Sequence, residues 1–214
     1  MSKKETQHLI KKLAAKGLPP VKPAPSPVIV GALLSLFCGL FVMSSVAYFG
    51  MRADFGTVWH TPLFGVEVLL ALLTGVFGMF AANWLALPDM RQQRWVCWLP
   101  FLTFAGLSSV ILYRFLAMPE DAFSPIGIGH CFNTVVAVAL VPAVVLILQM
   151  RRMATVHSKL AGLTAFLSAL SFGYIPARVM CPNDEVMHLM VDHMGAVVVG
   201  SLVGLIVGYR LFRW

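Results

Sequence analysis

Cys131 and Cys181 stand in segments that also hold His60, His130, His188 and His193, four of the six histidines, together with Asp184, Glu185 and Asp192. Thiolate, imidazole and carboxylate form a ligand set for zinc, cadmium or copper. The candidate ligands are His130, Cys131, Cys181, Asp184, His188 and His193. Asp184 and His188 are four apart, as are His188 and Asp192, so a helix starting here would carry them on one face. The spacing matches no known metal motif. The two cysteines could equally close a disulfide, which over a loop of about 50 residues stabilises by about 4 kcal/mol in the chain-entropy model. On the residues alone, a metal-responsive or redox pair and a structural disulfide stay open. An enzymatic thiol oxidant needs a vicinal pair, and the chain has no Cys-x-x-Cys. Cys38 and Cys97 fall inside apolar runs and read as small packing residues.

The elements that must position these groups are membrane helices. A mean hydropathy of +0.83 and 12% charged residues exclude an ordinary soluble domain. Stretches near the roughly 20 apolar residues a span needs predict six spans, at 27–49, 62–87, 95–115, 131–150, 160–178 and 189–209. Sorting the segments between them by charge places 13 of the 16 Lys and Arg residues on one side. These are Lys3, Lys4, Lys11, Lys12, Lys16 and Lys22, then Arg91 and Arg94, Arg151, Arg152 and Lys159, and Arg210 and Arg213. Only Arg52, Arg114 and Arg178 fall on the other. Basic residues near span ends are retained in the cytoplasm, so both termini are expected there and Cys131 and Cys181 on the oxidising side. Ser45-Val46-Ala47 imitates a cleavage site, but the polar lead suits an uncleaved first span. The expected fold is all-α: a polytopic six-span domain over residues 27–214 behind a short cytoplasmic tail, residues 1–26. The net charge of +7 flanks spans, where it can touch anionic lipid. No basic stripe with exposed aromatics suggests direct nucleic-acid binding.

In the tail, Leu9, Ile10, Leu13 and Ala14 share one face at helical spacing, with lysines including Lys11 and Lys12 opposite. The proline-rich stretch from Leu18 to Pro27 cannot continue that helix. A helix this short is marginal until something covers its apolar face, so the tail reads either as a solvated topology signal or as a docking peptide. Gly200, Gly204 and Gly208 repeat every four residues on the last span and strip one face of side chains. That face either seals the bundle or joins two protomers, so a homo-oligomer stays open. Pro100, Pro142 and Pro176 interrupt three spans. Glu67, the one acidic residue well inside a span, lies about 8 Å below its outer end. There it can pair with Arg114 or Arg178, and an ion pair outweighs an ion pathway because few polar partners line other spans.

The segment Cys181-Pro182-Asn183-Asp184, followed by an apolar helix ending in Gly204-Leu205-Ile206-Val207-Gly208-Tyr209-Arg210-Leu211-Phe212-Arg213-Trp214, resembles the C-terminal signature of the NrsF (negative regulator of sigma F) family. The tail, with Leu9-Ile10, Leu13-Ala14 and Pro20-Val21, is similar too, as are the positions of Glu67, Cys131, Pro142 and Arg151-Arg152. The resemblance implies a bacterial inner-membrane anti-sigma factor, not an enzyme, that holds an extracytoplasmic-function sigma factor. It implies that Cys131 and Cys181 are paired periplasmic cysteines that sense heavy metals or oxidants. The tail residues Leu9, Ile10, Leu13, Lys11 and Lys12 would then meet the partner. No cofactor is required on that view, only a transient zinc, cadmium or copper ion at the cysteines. Met180 and His193 depart from the family's usual residues. The alternatives are a small transporter, for which Glu67, Asn83 and Asn133 are the available polar groups, and a quinone-linked thiol oxidoreductase.

Overall fold

The protein was analysed as a computed structural model that describes residues 3–15, 26–87, 94–117, 129–153 and 155–212. The proline-rich spacer before Ser26, Lys16, Lys22, Arg91, Arg213 and Trp214 lie outside the described residues. Helix α1 spans Lys3–Ala15, α2 Pro27–Phe49, the short α3 Phe55–Val58, α4 Pro62–Leu85 and α5 Leu99–Ala117. A 3-10 turn over Arg94–Trp98 leads into α5. Then come α6 (His130–Met150), α7 (Ser158–Met180) and α8 (Val186–His188), which runs through a π-helical turn, Leu189–Met194, into α9 (Gly195–Leu211). The fold is all-helical, 87% helix with no strand among the described residues, and six helices are long and apolar enough to cross a membrane. Their ends fall within about four residues of the expected spans. Proline in the first turn explains two of the starts: Pro27 after Ser26 and Pro62 after Thr61 cost no hydrogen bond there.

Helix α7 is the axis of the bundle. Its apolar window is 83% buried, against 22–39% for the other five, although it is the least apolar of the six. The two facts have one cause: polar groups in a bundle surrounded by hydrocarbon must turn inward to find partners. Thr164, Ser168, Ser171 and Arg178 on α7 are all fully buried. Ser168 Oγ donates across to the Gly75 carbonyl of α4 at 2.6 Å. Pro142 and Pro176 lie inside α6 and α7, whereas Pro100 is the second residue of α5, where the 3-10 turn ends and its missing N–H costs little.

Helix α9 lies against α7 through glycine. A Cβ on Gly208 would stand 2.7 Å from Gly162 Cα, one on Gly204 2.6 Å from the Gly162 carbonyl oxygen, and one on Gly200 2.5 Å from Leu170 Cδ1. Backbones this close gain dispersion contacts that no larger residue permits. The small-residue face is thus filled within the chain.

A chain of six charges ties the Cys181 end together. Arg178 Nε donates to Glu67 Oε2 at 2.8 Å, and Arg178 Nη2 to Asp184 Oδ1 at 2.7 Å. Arg114 Nε stands 3.3 Å from Glu67 Oε1. Arg52 reaches Asp184 at 2.7 Å, Asp54 at 2.6 Å and the Pro182 carbonyl at 3.2 Å. Three arginines meet three carboxylates, so the cluster is neutral. Burial works against ionisation of Asp184, but Arg52 and Arg178 outweigh it and hold this carboxyl below its usual range. Asp54, then Asp184, raise the guanidinium of Arg52 further. Arg178 also stacks over the Phe64 ring at 4.7 Å.

Two outcomes follow from this packing. Gly204→Leu, or Gly162→Leu, should lower the midpoint of thermal unfolding in detergent by an amount equivalent to about 1–3 kcal/mol or more. Gly39→Leu should not, since a Cβ there meets open space. Glu67→Gln strands Arg114 and takes from the buried Arg178 one of its two carboxylates, and should cost about 3–5 kcal/mol, while Arg114→Gln should cost far less because Arg178 still neutralises Glu67. Thermal unfolding of the three glycine variants and denaturant titration of the two charge variants check both; equal losses for Glu67→Gln and Arg114→Gln would show that the charges are independently solvated.

Candidate metal and redox site

Proline places the first sulfur. A residue before proline is driven out of the helical region, and Cys181, before Pro182, is extended (φ −74, ψ 120) and caps α7, its N–H on the Ala177 carbonyl at 3.0 Å. The thiol leaves the helix axis at that point and is 4% exposed. The Asn183 side chain then accepts the Glu185 N–H at 2.8 Å, an Asx turn that reverses the chain into α8. Cys131, half-buried, is the second residue of α6.

His188 and His193 approach the sulfurs from α8 and the π-helical turn. Five residues apart on an α-helix, they would diverge by about 140°. A turn closed by i→i+5 hydrogen bonds returns the fifth residue to nearly the same face. Their rings lie 5.2 Å apart, and the Tyr174 ring of α7 sits edge-on to His193 at 5.6 Å. The ligand atoms of Cys131, Cys181, His188 and His193 all fall within 4.8 Å of one another. His188 Nε2 is 3.2 Å from Cys181 Sγ, and its Nδ1 is 2.9 Å from Asp192 Oδ2. Asp192 Oδ1 in turn accepts the Gly129 N–H at 2.9 Å.

His193 is fully buried, and neither ring nitrogen has a hydrogen-bond partner. A polar group buried in that state costs about 1–3 kcal/mol. The Cys131 thiol beside it, followed by the His193 imidazole, holds the Cys181 thiol well below its usual range. Thiolate is the form that ligates metals and reacts with oxidants. Two soft sulfurs and two imidazoles suit zinc or cadmium; one sulfur facing another also suits thiol oxidation. Both cysteines are free in the structure.

Two expected ligands lie elsewhere. His130 is exposed, because its neighbour Cys131 takes the inward direction and successive helical residues point about 100° apart. Asp184 is held by Arg52 and Arg178, and it precedes α8, so the shared face with His188 does not form. Glu67, Arg114 and Arg178 are in contact as described, and Gly200, Gly204 and Gly208 of α9 pack against α7. Leu9, Ile10, Lys11, Lys12 and Leu13 are exposed along α1. Sequence reasoning passed over Arg52, Tyr174 and the orienting role of Asp192. Arg52 carried one signal, an aspartate two positions on in a segment otherwise without charge.

No curated protein and no solved structure matches the chain. Residues 14–214 match the family described as NrsF, negative regulator of sigma F. The match begins at Ala14, so Leu9 to Leu13 lie just before it, and it takes in all four converging side chains. With nearly its whole length matched, the chain belongs to the NrsF family of negative regulators of sigma F.

Proposed function

We propose that this member of a family of sigma-factor regulators is an inner-membrane anti-sigma factor, not an enzyme, that holds an extracytoplasmic-function sigma factor on its cytoplasmic face. It releases that partner when a metal or an oxidant reaches Cys131 and Cys181. The observation that carries the reading is the meeting of two thiols from different helices with two imidazoles, at the end of the bundle opposite the basic segments around Arg151 and Arg210. Basic segments are retained in the cytoplasm, so the thiols would face the periplasm and both termini the cytoplasm.

Several features support a signal passing between those faces. Cys181 caps α7, the most buried helix, and α7 meets α9 along glycines between Ser158 and Leu170. Packed interfaces switch between discrete arrangements rather than deforming smoothly. A change at Cys181 that favours a second packing by about 1.4 kcal/mol shifts the balance tenfold, within reach of one metal–thiolate bond. On the other face, α1 offers Leu9, Ile10 and Leu13, each 46–59% exposed, beside Lys11 and Lys12. An amphipathic helix of this kind docks into an apolar groove on a partner. A transport role is less supported, since Glu67 is closed off by two arginines.

Cys131→Ser and Cys181→Ser should each blunt release of the sigma factor by cadmium or oxidant, read from a sigma-dependent reporter. The double change should add little, because groups that act together are non-additive. A normal response in the double variant would leave the cysteines a packing role only. Deleting residues 1–13 should preserve insertion, with Lys16, Lys22 and three further basic segments still orienting the chain. The partner should then move from the membrane to the soluble fraction without any stimulus. Retention at the membrane would move the docking surface to the segments around Arg91 and Arg151, and phosphatase activity from a reporter fused at residue 26 would overturn the orientation.

A further inference from the structure

We infer that the resting protein holds one resident divalent ion of the zinc class, ligated by Cys131 Sγ, Cys181 Sγ, His188 Nε2 and a ring nitrogen of His193, with Asp192 as the positioning residue. The ion of this site is then a built-in part of the off state rather than only a passing stimulus.

Four observations carry it. The four ligand atoms already lie within 4.8 Å of one another. A tetrahedral zinc with Zn–N of about 2.0–2.1 Å and Zn–S of about 2.3 Å separates its ligands by roughly 3.3–3.8 Å, so closure needs side-chain movements of about 1 Å. His193, fully buried with both nitrogens unpartnered, faces that space. The surrounding support is also built: Asp192 Oδ2 stands 2.9 Å from His188 Nδ1, placed to accept its N–H, and in that tautomer Nε2, 3.2 Å from Cys181 Sγ, would offer its lone pair to an ion between them. A carboxylate behind a ligating imidazole is the usual support of a metal-bound histidine. Asp192 is itself pinned by the Gly129 N–H, and a Cβ at Gly129 would collide with its carboxylate.

The donor set names the ion. Two thiolates balance a divalent charge, so the ion and its four ligands together would carry no net charge. Two sulfurs with two imidazoles favour zinc over magnesium or calcium, and four protein ligands with no open position mark a structural rather than a catalytic centre. Such an ion clamps the start of α6, the end of α7 and the turn before α9. Its regulatory consequence rests on the sensing reading above: cadmium, with higher affinity for thiolate, would replace zinc one for one and alter the clamp's dimensions.

The full chain, purified in mild detergent with its affinity tag removed, should contain one zinc per chain by elemental analysis. Cys131→Ser and His193→Ala should reduce it to trace, whereas His130→Ala, altering the exposed neighbour, should keep it. Asp192→Asn should retain zinc but yield it to a chelator about 10–100-fold more readily. In case ligand variants fold poorly, wild-type protein stripped and reloaded with cobalt should show tetrahedral d–d bands and sulfur-to-cobalt charge transfer. Folded wild type with trace zinc and no such bands overturns the inference, as does loss of zinc in His130→Ala. The two readings separate cleanly. Absence of zinc with cysteine variants still blind to cadmium removes only the resident ion. Zinc present with a double cysteine variant still responsive removes only the sensing role.

Discussion

A guanidinium sealed inside an apolar bundle persists only where carboxylates meet it, and Arg178 is met by Glu67 from α4 and by Asp184 from the segment after α7. Neither carboxylate could be spared without leaving charge unpaired in a medium that does not solvate it. The consequence for architecture is direct. Pairing Glu67 with Arg178 sets the register of α4 against α7, and pairing Asp184 with Arg178 and Arg52 fixes the path of the chain just beyond Cys181. The Arg52 backbone N–H, bonded to the Val179 carbonyl at 3.2 Å, holds the segment after α2 against the same point.

The thiol site inherits its rigidity from that cluster. Cys181 is bracketed by Arg178, three residues before, and Asp184, three after, both locked by ion pairs. The sulfur therefore cannot drift from the space that His188 and His193 enter. Asp192 serves the other half of the site, joining the turn before α9 to the start of α6 through His188 and Gly129. Three helix ends thus converge on one small volume, each by a different device: proline for α7, a glycine N–H for α6, and a π-helical turn for α9. The sulfurs are thus tied to all three ends, and almost nothing of α7 lies outside the packing.

The N-terminal helix has a different character. Helix α1 is amphipathic yet exposed on every described side from Lys4 to Ala15, a state that a short helix sustains poorly in water. Its apolar residues Leu9, Ile10 and Leu13 are left exposed. Under the proposed function, the tightly determined thiol site would be the sensing end and α1 an adaptable docking segment.

Apolar run length and punctuation by proline were sufficient to delimit the six spans, because burial in hydrocarbon leaves a chain few other solutions. The same logic made Glu67 legible as a partner of Arg114 and Arg178, since a lone intramembrane carboxylate must find a cation. The glycines at 200, 204 and 208 announced a close helix contact but not its partner; only the crossing of α7 and α9 decided that they pack within the chain. The site was half legible. Residue types marked Cys131, Cys181, His188 and His193, yet spacing counted at 3.6 residues per turn put both Asp184 and Asp192 with His188, right for Asp192 alone, and gave no geometric reason for His193 to join them. A π-helical turn overrides that count, and whether a helix takes one depends on what its neighbours stabilise rather than on local periodicity. Arg52 and Arg178 drew Asp184 away for the same reason. Electrostatic partners in a bundle are chosen by distance in space, which the linear order of residues does not contain.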